Sequence, residues 1–276
     1  NMLKVAREHD YGHGPWHRFH PNLIQSGAVT LRFRARGFYS DDGVITKGQP
    51  QNFTRGHGIR DGISAPPGFW FSKFDLASIE ARLLAAFMEM LMDVTCFADM
   101  YRKDDDFNLY VLVLKECAME ESASKKHPMY TPYKHGVLGR VYGSSSKRFS
   151  AQLRDDFDLH YSPEQCADIF SRIDRQFPFI RRFQRFMQRL AEEQGYVMDV
   201  YGMHYNVRPD ESYKTVNTLC QGCAGTVLKD WWERADRERR KSGTLDMFVN
   251  TVHDDLNALI ERKGCKRNAK ARVKWY

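Results

Sequence analysis

No apolar run in this 276-residue chain approaches the length a bilayer crossing needs; the longest candidate, ARLLAAFMEMLM, is broken by Glu89. No leader pattern precedes the first motif, so a soluble, intracellular setting is the expectation. Cysteine is sparse: six residues, at 96, 117, 166, 220, 223 and 265, lack the dense regular spacing of a disulfide scaffold. There is no internal repeat and no strong linker. Acid is in deficit, with 35 Asp and Glu against 42 Lys and Arg, a formal charge of +7 that suits a polyanionic partner. A disordered tail is excluded as well, because 42% hydrophobic and 13% aromatic residues supply a substantial core. The chain opens on Asn1 rather than on an initiator Met, which reads as a processed product or one piece of a larger protein.

What is present organises into a mixed sheet-and-helix pattern. Residues 1 to 67 are rich in Gly, His, Arg and Pro, with short strand-like pieces such as GAVTLRFRA separated by turns, and read as a lead-in that wraps a core without forming one. PPGFWFSKFD reads as a turn and a strand ending at Asp75, and SIEARLLAAFMEMLM continues as an amphipathic helix. Helical patterns then dominate from about 107 to 194. One of them starts with Thr131 as its cap and Pro132 at the first helical position; another has Ser162, Pro163 and Gln165 in capping-box order. GYVMDVYGMHYNV reads as a hairpin around Gly202, a long helix spans about 213 to 241, and a second hairpin crosses 246 to 261. The final stretch, from Arg262 onward, holds seven Lys or Arg and no acid. The helical middle reads as an insertion, giving three parts: 1–92, 93–194 and 195–276.

NTVHDDLNALI, residues 250–260, sets Asp254 and Asp255 after a histidine at the tip of an apolar hairpin that reads as two buried strands. Adjacent like charges there are costly unless a cation offsets them. Asp75, at a second strand end, is the natural partner. Two rigid carboxylates with open positions between them are what Mg²⁺ bridging phosphate oxygens requires. On the helix from Thr131, Lys134, Leu138 and Tyr142 recur every four residues, with Arg140 nearby and Gly139 and Gly143 leaving room. A lysine near a helix N-terminus suits a triphosphate, and an aromatic further along can stack on its base. CQGC, residues 220–223, has redox or half-zinc spacing but falls in a helical segment without a second Cys or His pair, so buried thiols are the favoured reading.

These motifs together resemble DNA polymerase family A, the bacterial polymerase I type. FDLASIEARLLA is similar to the first palm motif; the resemblance makes Asp75 a metal-binding acid, gives the Leu76 carbonyl to the same metal, makes Glu80 the group that excludes a ribose 2′-hydroxyl, and puts Arg82 in the following basic position. KHGVLGRVYG resembles the fingers helix, with Lys134 on the incoming triphosphate, Arg140 beside it and Tyr142 at the templating base pair. VHDD resembles the last palm motif, with His253 near the primer terminus, Asp254 as second metal ligand and Asp255 as a supporting acid. NTLCQGCAGTVLK matches the helix whose Asn217 and Gln221 approach template and minor groove, and upstream segments bring Arg32, Gln51, Asn52 and Arg60 toward the duplex or the first palm strand.

The resemblance implies an α+β fold: a right-hand palm with an antiparallel sheet and a mostly helical fingers insertion, the thumb absent. It implies template-directed DNA synthesis with two Mg²⁺ ions, on primer–template DNA and dNTPs, with a thumb-supplying or processivity protein or an omitted thumb region as a further partner. A bacterial or phage-infected cell, in cytoplasm or nucleoid, is the expected setting. A non-catalytic nucleic-acid-binding replication protein is the alternative. Four departures from the family pattern bear on affinity and fidelity: Tyr130 stands where a basic residue is usual, Leu138 where an aromatic is common, Asp255 where Glu is usual, and Tyr213 where Arg is common.

Overall fold

The computed structural model describes residues 21–24, 34–39, 45–46, 64–119, 121–252 and 255–262. The chain divides into two compact units: Asn1–Ala77 with Ala224–Tyr276, and Ser78–Cys223 between them. The first unit is thus assembled from both ends of the chain, with the second inserted.

In the first unit, β1 (Pro21–Ile24), β2 (Arg34–Tyr39) and β3 (Ile45–Thr46) form an antiparallel sheet in that order. The lead-in, read as strand-like pieces between turns, therefore has a sheet of its own. A second antiparallel sheet has the order β4 (Phe69–Asp75), β8 (Asp255–Glu261), β7 (Met247–Val252). Leu256, Ala258 and Ile260 of the central β8 are buried, and Phe74 meets Trp231 edge to face at 6.4 Å. Trp231 lies on the long helix α8 (Thr215–Ser242), which also buries Leu228 and Ala235. The hairpin is not made of two buried strands. β7 is an edge, and a bulge between Phe248 and Asn250 interrupts its register, leaving Met247 43% and Val249 38% exposed.

The second unit packs α1 (Ile79–Met92), α2 (Cys96–Lys103), α3 (Leu109–Ala118), α4 (Tyr130–Val141), α5 (Ser146–Phe157), α6 (Pro163–Gln176) and α7 (Pro178–Gln194) around Phe87, Val113, Leu114, Phe149, Ile173 and Phe183. Local signals fix several starts. Asn108 caps α3 through the Tyr110 and Val111 amides, and Ser162 with Gln165 completes a capping box on α6. α4 begins one residue before the expected cap. Met129 occupies that position without a side-chain bond, because the His127 carbonyl and Nδ1 already turn the chain by accepting from the Tyr130 and Met129 amides. Pro132 then sits at the third helical position, where its missing N–H still costs no intrahelical bond. β5 (Tyr196–Met198) and β6 (His204–Asn206) pair as the expected hairpin. Its turn is held by Asp199, whose carboxylate accepts from the Tyr201 and Met203 amides and from the Tyr205 hydroxyl at 2.7 Å.

Candidate functional site

In the first unit the two-residue period of β4 puts Phe71, Lys73 and Asp75 on one face, all three exposed. Pairing with β8 sets Asp75 directly opposite Asp255, and Lys73 opposite Asn257. The structure thus brings together two carboxylates that are 180 residues apart in sequence. Lys73 Nζ lies 2.7 Å from Asp255 Oδ2. The other oxygen, Asp255 Oδ1, is shielded from solvent and has no hydrogen-bond partner. A buried carboxylate oxygen without a donor is an energetic liability that a hard cation set against it would relieve. Among the described residues no cluster of three or more His, Cys, Asp or Glu surrounds that position. Asp254 and His253 lie outside the described residues, as do Arg32, Gln51, Asn52 and Arg60. Leu76 follows Asp75 in the link toward α1.

In the second unit, Glu80 stands in the first turn of α1 and Tyr142 ends α4; the Tyr142 hydroxyl donates to Glu80 Oε2 at 3.0 Å. Burial, then the Cys220 and Glu80 neighbours, push the Tyr142 phenol well above its ordinary value, so it remains a donor. Tyr110 on α3 is raised too, by burial and then by Glu80, and its ring lies 5.6 Å from Lys134 Nζ. Glu80, Tyr142, Tyr110 and Lys134 therefore form one neighbourhood built from three helices. Between Asp75 and Glu80, Ser78 holds a left-handed conformation at φ 52°, a backbone state that costs a non-glycine residue about 1 kcal/mol.

The remaining positions are placed as follows. Arg140 forms a bidentate pair with Asp174 of α6 and lies 5.4 Å from the Phe170 ring, which joins α4 to α6 and leaves its guanidinium committed within the unit. The glycines are explained by packing rather than by open space. A Cβ on Gly139 would touch Ser144 and Phe170, and Gly143, at φ 77°, would bring one within 3.0 Å of the Tyr213 carbonyl. Asn217 and Gln221 share a face of α8 at four-residue spacing, and Asn217 Oδ1 is buried without a partner. In CQGC, Cys220 and Cys223 are buried thiols, that of Cys223 raised to about 11 by burial and then by Asp199. Gly222 sits against Tyr205, where a Cβ would lie 2.4 Å from the ring. The motif is a packing seam.

Lys73, Tyr110 and Asp174 were not anticipated from the sequence. Lys73 carries a readable signal, since it lies one strand period before Asp75. Tyr110 and Asp174 meet their partners only through helix packing. Of the departures, Tyr130 stands 3.5 Å from the Nδ2 of the α3 cap Asn108, while the Tyr213 ring lies 5.4 Å from Lys214 Nζ.

Residues 45–274 match the family model for DNA polymerase family A. The chain belongs to DNA polymerase family A. Family A relatives include DNA polymerase I of Chloroflexus aurantiacus, 25% identical over 87% of this chain and 25% of its own length. The DNA polymerase of Mycobacterium phage D29 is 21% identical over 73% of this chain and 30% of its own. The chain thus spans between a quarter and a third of these relatives. The fold is that of a family A polymerase domain: the POL domain of Pol1 from M. smegmatis, solved with DNA primer–template and dNTP, superposes with a TM-score of 0.73 at 18% identity, covering 93% of this chain and 45% of that one.

Proposed function

We propose that this chain supplies the palm and fingers of a template-directed DNA polymerase, a nucleotidyltransferase that joins a dNTP to a primer 3′-hydroxyl. The observation that carries the reading is the register of Asp75 against Asp255, with one buried oxygen of the latter unpartnered, inside a chain of family A. Residues 1–92 and 195–276 act as palm and 93–194 as fingers. Asp75, the Leu76 carbonyl and Asp254 would hold two Mg²⁺ ions, with Asp255 in support. Bound there, the ions would make the 3′-hydroxyl more acidic and neutralise charge on the leaving pyrophosphate.

The chain's own residues do the rest. Lys134 places a cation on the triphosphate where charge grows during in-line transfer. Glu80 occupies the space a 2′-hydroxyl needs, and the Tyr142 hydroxyl fixes its carboxylate, so sugar selection and base-pair packing share one hydrogen bond. Asn217 and Gln221 offer hydrogen bonds to the minor groove, whose pattern tests pairing geometry more than sequence. Because Arg140 is spent on Asp174, its role is to position the fingers helix.

On this proposal another segment or polypeptide adds grip on the product duplex, in the manner of a split enzyme. The non-catalytic alternative is disfavoured by the retention of Asp75, Lys134 and Asp254 together. Primer extension with dNTPs and Mg²⁺ tests the reading: templated addition of the complementary nucleotide is expected, and a folded chain that adds none at high enzyme and DNA concentrations overturns it.

A further inference from the structure

On α8 the outward cations are matched by acids about one turn earlier: Arg234 with Asp230 at 2.8 Å, Arg240 with Asp236 at 2.7 Å and Arg237 with Glu233. α7 is different. Arg182, Arg185 and Arg189 are exposed on it at spacings of three and four, which makes one stripe, and none has an ion-pair partner among the described residues. The opposite face, with Ile180, Phe183, Met187 and Ala191, is buried in the second unit, so the stripe is rigidly mounted. Arg185 and Arg189 line an open concavity with Gln188 and Glu192. Arg181, one position along, is lowered by burial and then by the nearby cations Arg140 and Arg185, only partly offset by Asp174. Three aligned like charges repel along a helix, and a polyanion laid against them relieves that repulsion.

We propose that this face of α7 holds the phosphate backbone of the unpaired template strand, an inference that rests on the polymerase reading above. At 1.5 Å rise per residue the stripe runs ~10 Å, the length of about three nucleotides of one strand. It is a single row. Gln188 and Glu192 flank it, and α7 carries no second row of exposed cations to meet the second strand of a duplex. Glu192 and Glu193 close the C-terminal end and set the limit of the track.

The test compares binding of labelled primer–template DNA, blunt or with template overhangs of increasing length, by the parent chain and by R182Q/R185Q/R189Q, over a range of salt without dNTP or divalent ion. For the parent, an overhang should tighten Kd and steepen its salt dependence by about 2 in log–log slope, the value for three single-strand phosphate contacts. The glutamine variant should lose both gains while binding blunt duplex as before, and R182K/R185K/R189K, which keeps the charge, should retain most of them. Equal loss on blunt duplex would assign the face to the double helix, and an undiminished overhang effect would remove α7 from the interface; either outcome overturns the proposal. Matching circular dichroism and melting of the variants exclude misfolding. Overhang binding through α7 by a chain that extends no primer would sink the polymerase reading alone. Primer extension by a chain whose binding ignores the overhang would sink this inference alone.

Discussion

At the scale of single residues, the Tyr142–Glu80 hydrogen bond is the feature with the sharpest consequence. If Glu80 guards the sugar, Glu80→Ala should raise the rNTP-to-dNTP ratio of catalytic efficiencies on the order of 10-fold to 100-fold, the range a lost steric or polar contact gives. Tyr142→Phe leaves the carboxylate in place and removes only its tether, worth about 1 kcal/mol, so the ratio should move in the same direction by about fivefold. An unchanged ratio in folded, active Glu80→Ala would refute the gate. The cysteines give a second test. Cys220 and Cys223 are buried with thiols raised by burial, whereas Cys96 is exposed. Alkylation of the native chain at pH 8 should therefore label Cys96 long before Cys220 and Cys223, and rapid modification of the CQGC pair would revive a redox or metal role. Gly222→Ala has a structural cost instead: with its Cβ at 2.4 Å from a Tyr205 ring anchored on Asp199, it should lower stability by about 1–3 kcal/mol in denaturant unfolding.

At the scale of elements, period and punctuation made much of the fold legible. A turn ahead of an apolar run identified β4, short apolar runs flanking two acids marked the β7–β8 hairpin, Ser162 with Gln165 fixed the start of α6, and alternation around Gly202 marked the β5–β6 hairpin. What escaped depends on tertiary partners. The pairing of the strand-like pieces within residues 1–67 into one sheet and the exposed edge character of β7 both follow from strand order, which no spacing encodes. The same holds for the site. Asp75 and Glu80 were readable from one motif, but Asp174 had no signal pairing it with Arg140, because the two lie 34 residues apart across helix and loop. That pair should couple α4 to α6. A double-mutant cycle with Arg140→Gln and Asp174→Asn should return about 1–3 kcal/mol of interaction energy, and a value near zero would show the pair to be a solvated surface contact.

At the scale of the whole molecule, the chain spans 45% of the polymerase-domain chain it superposes on and no more than 30% of the curated relatives described above. On the proposed polymerase reading, binding of primer–template DNA by these 276 residues should weaken as salt rises, because phosphate contacts carry most of the affinity. Adding a partner that supplies the grip should lengthen products without changing the rate of a single addition. The central claim is narrower than processivity and can be tested apart from it. The measurement is single-turnover incorporation of one template-matched dNTP, with enzyme in excess over primer–template and Mg²⁺ present, comparing the parent chain with Asp75→Asn. Matched incorporation by the parent and a drop by orders of magnitude in the equally folded variant are predicted, because an amide cannot replace a charged ligand; equal rates in the two, or no incorporation by the parent, would contradict the account.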